Sequence, residues 1–578
     1  MDTAPRIPTI PQLRGWLSTA WPAVIWWLRR DALPLLFFCG IALLAMSPVL
    51  ATPRTHILGL PGDNLQYAYI TGWVAQALRM GASPFVDPRL NYPDDLLLTG
   101  TDAPFLSVIL AAPATWALGP VFGYNLIIFV SHILTGYFTY LWLLTLTGSR
   151  AGAIIAGLLF MLAPYRTIRS YAQLNLISTQ AIPLFFWALH HALTCPQRGE
   201  LRLWLIGAAT LLVGLLSQYY LIICLTTGIS YALLLNWRQP LTLLIPGWRI
   251  AFSVAIGALL SALPYLSSLS TYAAYGVART RLWSADPLNF LLPPTTHPLW
   301  GTLVASFRSE PYIGEKTLYV GIVALVLAGL GYWRGPAQLR QHRTVWLGTA
   351  LVGFVFALGT DLWLNNTPLS ISHPFWLPAY YLAHLPLIGS MRVWARFGII
   401  TIFFIALLAG LGAAWLVARQ PRRIGQLATL ALLIVLIGFD FMPANLGTTA
   451  LGPRAVDSWL AAHPDDFAVA FLPPENDLVN YRAMFGSLYH GKHLPAFMHS
   501  RHMPSSYRRY MLATLSFPSP AALHELQTLQ IRYIILDSHA YTGWRGPAWA
   551  DLAPQIEQEP RLHFVTELDG YVVLELAK

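Results

Sequence analysis

Apolar runs of membrane-crossing length, separated by short polar breaks, fill most of the first 442 residues. After a first run at about 33–50, they recur at about 123–146, 151–165, 176–194, 201–218, 219–236, 247–268, 317–333, 344–360, 396–418 and 424–442. Each is near the ~20 residues a helix needs to cross the hydrocarbon core. Helix is the expected conformation because backbone groups facing lipid have to be hydrogen-bonded within their own segment. The stretch 201–236 is too long for one span and is divided near Gln218–Tyr219. The pattern predicts about eleven transmembrane helices.

After residue 442 the pattern changes. Ala468–Leu472, Ile531–Leu536 and Tyr571–Leu576 are short apolar runs bounded by Pro, Asp and Gly, which reads as strands. Ser519 to Gln530 reads as a helix opening at Pro520, with Ser519 as its cap. The expected class is a polytopic α-helical membrane protein with a small C-terminal α/β domain. The expected division is a basic, Trp-rich interfacial segment (1–32, with Trp16, Trp21, Trp26 and Trp27), a transmembrane domain (33–442) and a soluble domain (443–578).

Charge orients this arrangement. With the N-terminus in the cytoplasm, the loops 147–150, 195–200, 237–246, 334–343 and 419–423 fall on the same side. They hold Arg150, Arg198, Arg238, Arg334, Arg340, Arg343, Arg419, Arg422 and Arg423, as the positive-inside rule asks. The parity closes if the apolar stretch 104–119, which contains Pro104 and Pro113 and runs into Pro120, is an interfacial or re-entrant helix. The loops 51–122, 269–316 and 361–395 and the tail then lie outside. The net charge of +10 is accounted for by membrane topology, so nucleic acid is not an expected partner. Cys39, Cys195 and Cys224 lie in or beside apolar runs, which excludes a disulfide framework in the tail. The first run lacks a small-residue cleavage site behind it and is expected to be a retained anchor.

The stretch Leu60-Pro61-Gly62-Asp63-Asn64-Leu65-Gln66-Tyr67 opens an amphipathic helix. Leu65, Tyr69, Trp73, Ala77 and Met80 form its apolar stripe, and Gln66 and Gln76 lie off it, as for a helix on the membrane surface. Asp63 at its start is either an N-cap or a general base for an acceptor hydroxyl, and one residue can be both. Asp94, Asp95 and Asp102 read as turn or solvating residues of the same loop.

Further motifs follow: Pro84-Phe85-Val86-Asp87-Pro88, Asn91-Tyr92-Pro93, Asp102-Ala103-Pro104-Phe105 and Ala163-Pro164-Tyr165-Arg166. Together with the Gly-Asp opening and the late soluble domain, they resemble the GT-C glycosyltransferase superfamily, in its bacterial mannosyl- and arabinosyl-transferase-like branch. The resemblance implies a bacterial plasma-membrane enzyme that takes a sugar from a polyprenyl-phosphate donor, with inversion, to an extracytoplasmic glycan, lipid or protein acceptor. It also implies a catalytic acid in the first outer loop, which falls on Asp63.

Around this, Arg166 and Arg169 lie on the outer side against the positive-inside trend. They either snorkel to the interface or hold the donor phosphate. The loop 165–175 lacks the second carboxylate many such enzymes carry. Its Gln173 and Asn175 can hydrogen-bond a hydroxyl but cannot act as a base or hold a divalent cation strongly, so a metal is not supported. Asp102 joins these as a candidate substrate contact. Glu315, in Glu-x-x-x-Tyr-x-Gly, either bounds the interface in a pair with Lys316 or assists catalysis. Arg279, Arg281, Asp286, His297, Arg308 and Glu310 share its loop. His490, His493, His499 and His502 are broken by Gly and Pro and read as irregular surface rather than a metal site. His132 reads as packed against a neighbouring helix, and Asp361 and Asp440 as span-end residues near water. The alternative function is non-catalytic binding or transport of a lipid-linked glycan on the same fold.

Overall fold

The computed structural model describes residues 30–238, 244–271, 280–308, 313–369, 377–385, 388–444, 446–498, 503–543 and 546–577. The N-terminal tryptophans, Arg279, Glu310, His499 and His502 lie outside the described residues, as does nearly all of the segment 1–32.

Every predicted apolar run holds a helix. In chain order the helices are α1 (30–45), α2 (Asp63–Met80), α3 (Phe105–Leu118), α4 (Pro120–Thr147), α5 (Arg150–Leu162), α6 (Pro164–Ser170), α7 (Ala181–Thr194), α8 (Leu201–Leu216) and α9 (Gln218–Leu235). They continue with α10 (Leu244–Ala262), α11 (Ile322–Arg334), α12 (Arg340–Ala357), α13 (Gly398–Ala418) and α14 (Arg423–Asp440). Among the described residues, five stretches are long and apolar enough to cross a membrane: Pro120–Thr147, Gln218–Leu235, Gly247–Leu266, Trp394–Ala418 and Arg423–Asp440. α5 and α6, bent by 46° at their junction, make a sixth if counted as one span. The chain is a multi-pass membrane protein.

The remaining apolar helices are shorter than the runs predicted for them, for local reasons. α7 begins late because Thr179 and Gln180 turn inward, where Thr179 receives Arg166 and Gln180 receives the Ser131 hydroxyl at 2.7 Å. α11 begins only after Gly321. The break between α8 and α9 falls at Ser217, one residue before the expected split, where its hydroxyl accepts from the Tyr220 amide. α3 has 14 residues, about 21 Å at 1.5 Å per residue, too short to cross unaided.

α13 is the buried centre of the bundle, with α5, α11 and α12 against it. Trp142 and Phe160 close on its Phe403, ring centroids 5.6 and 4.8 Å away. Glycines let α11 and α13 touch backbone to backbone: a Cβ on Gly331 would stand 2.0 Å from the Leu408 carbonyl oxygen, and one on Gly412 2.0 Å from that of Leu327.

In the tail, β3 (Ala468–Leu472), β4 (Ile531–Asp537), β5 (Leu562–Leu568) and β6 (Tyr571–Leu576) form one sheet in the order β3-β4-β6-β5. β3 and β4 are parallel and the other pairs antiparallel. β1 (His56–Leu58) and β2 (Thr448–Ala450) pair separately. α16 (Pro520–Thr528) starts at Ser519, whose hydroxyl accepts from Ala522 N. α15 (Asp477–His490) follows β3 and lies on α2.

That contact corrects the surface-helix expectation for α2. Its stripe residues Leu65, Tyr69, Trp73 and Ala77 are buried, but so is Gln66, and Gln76 donates to Leu488 O at 2.8 Å. The tail covers the second face. A periodicity confined to residues 63–80 carries no sign of a partner some 400 positions later. The tail and the first loop are further tied by the β1–β2 pairing, by Asn91 N to Ala496 O at 2.8 Å and by Leu494 N to Arg89 O at 2.8 Å. One apolar cluster runs through both.

The close crossing predicts that Gly412→Leu destabilises the protein by at least ~1–3 kcal/mol through overpacking. Gly438→Ala, where a Cβ meets nothing within 4 Å, leaves the unfolding midpoint in detergent unchanged or slightly raised. Equal midpoints for Gly412→Leu and wild type would contradict the crossing.

Candidate active site

The first turn of α2 is pinned by Asn64 rather than by Asp63. The Asn64 amide nitrogen faces the carbonyl oxygens of Leu58, Leu60 and Tyr171 at 2.9, 3.0 and 3.2 Å, and its oxygen accepts from Gly62 N at 2.9 Å. Gly59 permits this. Its φ of +89° lies in the region open to glycine, and a Cβ there would stand 2.4 Å from Tyr171 O. Asp63 is thus the first residue of the helix without capping it. Its carboxylate is half-buried and accepts from Gln173 Nε2 at 3.4 Å. A carboxylate in the first turn also suits the helix dipole.

Gln173 leads inward. Its side-chain oxygen accepts from the Arg169 guanidinium. Arg169 Nη2 donates to Glu315 Oε2 at 2.6 Å, and Arg396 donates to the same carboxylate through Nη2 at 2.7 Å and Nε at 3.2 Å. Arg169 and Arg396 are buried. Each lies over an aromatic ring: Arg169 over Tyr165 at 5.0 Å and Arg396 over Tyr219 at 4.1 Å. Burial alone would raise the Glu315 carboxyl, but Arg169 and Arg396 outweigh it and hold the group well below the usual carboxylate range. A carboxylate so stabilised is a poor base. The pairing with Lys316 expected from the sequence is not formed; the Lys316 ammonium lies over the Trp363 ring at 4.2 Å. Glu315 is the anchor of two guanidiniums.

A second branch starts at Tyr67, one turn after Asp63. Its hydroxyl donates to Asn175 Oδ1 at 2.8 Å. Burial, and then the charges of Asp102 and Asp63, push its phenol well above the ordinary range, so it stays a donor. Asp102 and Asp63, from two parts of the first loop, thus both lie within electrostatic reach of the same hydroxyl.

Arg169, Gln173 and Glu315 line a cavity of about 460 Å³, whose walls are otherwise largely apolar, from Leu60, Ile168, Tyr171, Trp283 and Leu446. Of the sequence candidates, Asp63, Arg169, Gln173, Asn175, Glu315 and Asp102 come together. Arg166 does not. It is fully buried and bonded elsewhere, donating to Thr179 Oγ1 (2.6 Å), Met161 O (2.5 Å), His132 Nδ1 (3.2 Å) and Ile177 O (3.3 Å). With its donors spent on the helix junction, it has none to offer a phosphate. Two arginines three apart on a short helix point differently, and only the docking of that helix decides which one faces the cavity. Arg396 was missed because a basic residue opening the run 396–418 reads as an interface anchor. Asp440, expected near water, is buried and accepts from Tyr319 OH at 2.6 Å and Val323 N at 2.9 Å, capping α11.

The donor set does not suit a divalent cation. The side chain nearest Asp63 presents an amide N–H, and among the described residues no three His, Cys, Asp or Glu side chains converge. His490 lies 4.0 Å from Asp457, and His493 3.5 Å from Asp466.

Solved structures share this architecture. Arabinofuranosyltransferase AftD from Mycobacteria superposes with a TM-score of 0.57 at 14% identity, over 94% of this chain and 40% of that one. ArnT from Cupriavidus metallidurans bound to undecaprenyl phosphate gives 0.50 at 11% identity, over 93% of this chain and 97% of that one. The fold is that of the GT-C glycosyltransferases. The chain spans well under half the length of AftD. The chain belongs to the family described as Domain of unknown function (DUF6311), which matches residues 32–441. No curated protein sequence matches it.

Glu315→Gln leaves Arg169 and Arg396 buried side by side without this anion, at a cost of about 3–5 kcal/mol. Because the folded state lowers the Glu315 pKa, its stabilisation is complete above the ordinary carboxylate value of about 4.3 and is lost as pH falls below it. Thermal midpoints followed from pH 7 to pH 3.5 are expected to fall more steeply at the acid end for wild type than for Glu315→Gln. Parallel curves would contradict the ion-pair assignment.

Proposed function

We propose that the protein is a membrane glycosyltransferase that moves a sugar from a polyprenyl-phosphate donor to an acceptor hydroxyl on the face carrying the tail. One observation carries this reading: Asp63 is joined through Gln173 to Arg169, which lines a largely apolar cavity with Glu315, and Glu315 also holds the buried Arg396. Two arginines against one carboxylate leave a positive balance where a phosphate would sit, and guanidinium geometry suits phosphate oxygens. The apolar walls suit a prenyl chain. The undecaprenyl phosphate bound by ArnT is that protein's ligand; its occurrence on the same fold supports the donor class here.

In this reading Asp63 takes the proton of the acceptor hydroxyl as that oxygen bonds to the anomeric carbon. The bond from that carbon to the phosphate oxygen breaks, and its electron pair leaves with the phosphate, stabilised by Arg169 and Arg396. Gln173 and Asn175 orient hydroxyls, Asp102 supports the site through Tyr67, and Glu315 positions the two arginines.

The test uses protein in lipid nanodiscs with a set of radiolabelled polyprenyl-phosphate sugars. Asp63→Ala is expected to lower turnover by about 10²–10⁴-fold, the usual contribution of a general base. Turnover equal to wild type would remove the base assignment. Lipid-phosphate binding without transfer by the wild type would select the non-catalytic reading instead.

A further inference from the structure

A second cavity, of about 280 Å³, lies in the tail, lined by Pro473, Glu475, Asn476, Asp477, Tyr541 and Thr542 among others. It forms where β3 and β4, the parallel pair, both end. Residues 473–477 leave β3 and residues 540–542 follow β4 on the same side of the sheet. Crevices outside the carboxyl ends of parallel strands are where α/β sheets hold ligands, because the loops diverge there.

The lining has the chemistry of a sugar subsite. Glu475 accepts hydrogen bonds from hydroxyls, Asn476 and Thr542 both donate and accept, and Pro473 and the Tyr541 ring give apolar faces for a ring's C–H side. Tyr541 is backed by Trp549, ring centroids 6.1 Å apart. Glu475 Oε2 is buried and has no hydrogen-bond partner among the described residues, a situation that costs about 1–3 kcal/mol unless a donor arrives. A ligand hydroxyl or ammonium is such a donor. The unpartnered Glu475 carboxylate disfavours an anionic sugar by like-charge repulsion. The volume lies just below the range of drug-sized organic-ligand pockets, roughly 300–1,000 Å³, and suits one ring rather than a chain.

Its place matters as much as its lining. Asp477 begins α15, the helix that lies on α2. Tyr481, one turn on, is pushed up by burial and then by the charges of Asp63 and Asp477, so both carboxylates lie within electrostatic reach of its hydroxyl.

We propose that the cavity at the ends of β3 and β4 binds a neutral or amino-bearing sugar ring of the acceptor, with Glu475 receiving its donor and the first turn of α15 leading towards Asp63. That the ring belongs to an acceptor rests on the transferase reading; the binding itself does not.

Saturation-transfer NMR on the full chain in detergent, with methyl mannoside, glucosamine and glucuronic acid as probes, tests it. Mannoside and glucosamine are expected to bind wild type and Asp63→Ala alike, at least tenfold tighter than glucuronic acid. Glu475→Gln and Tyr541→Ala should weaken them at least tenfold, and the exposed Thr542→Val several-fold, with unfolding midpoints checking that each variant is folded. In the transfer assay Glu475→Gln should raise the acceptor KM with kcat largely kept. Unchanged sugar binding in these variants, or glucuronic acid binding as tightly as the mannoside, would overturn the proposal. Transfer by wild type alongside unchanged binding in the variants sinks the subsite alone. Pocket-dependent binding with no transfer sinks the transferase reading alone.

Discussion

The site depends on one buried carboxylate. Glu315 accepts from two guanidiniums at 2.6 and 2.7 Å, one from the last turn of α6 and one from the turn before α13. Neither arginine could remain charged and dry at those positions without it, since an unpaired buried ion costs several kcal/mol. The same contact fixes Arg169 so that its other edge meets Gln173, which in turn reaches Asp63. Four segments far apart in sequence are thus locked in one register by ion-pair and hydrogen-bond geometry.

The second constraint is the cover that the tail gives to the first loop. α2 carries Asp63 and Tyr67, and it is held between α3 and α4 on one side and α15 on the other. The β1–β2 ladder and the bonds at Asn91 and Leu494 fasten the same two regions. A half-buried catalytic group benefits from such a mount, because a base has to be kept within hydrogen-bond reach of its substrate. Position along the chain divides the tail from the membrane helices, but packing unites it with the loop that holds the candidate base.

Much of this was legible in the sequence where the signal is local. The apolar runs located the helices because length and composition alone decide whether a segment suits lipid. The strands at Ala468–Leu472 and Tyr571–Leu576 and the Ser519 cap followed from turn chemistry and alternation. Asp63 stood out through its Gly-Asp-Asn turn, although Asn64 took over the pinning. What stayed hidden was long-range. The partners of Glu315 lie 146 and 81 residues away, so the neighbouring Lys316 looked like its natural mate. Arg166 and Arg169 are chemically identical in sequence, and only the docking of α6 separates the structural one from the one lining the cavity. The polar side of α2 looked solvent-facing because its cover comes from α15.

The central claim is that Arg169 and Arg396 form the phosphate end of a lipid-donor site beside Asp63. An experimental structure of the protein in nanodiscs with added decaprenyl phosphate tests it most directly. The account predicts phosphate density within about 3 Å of one or both guanidiniums, with the prenyl chain along the apolar wall formed by Ile168, Tyr171 and Trp283. Phosphate density bound elsewhere on the molecule, with Arg169 and Arg396 still closed on Glu315 and no lipid in the cavity, would contradict it.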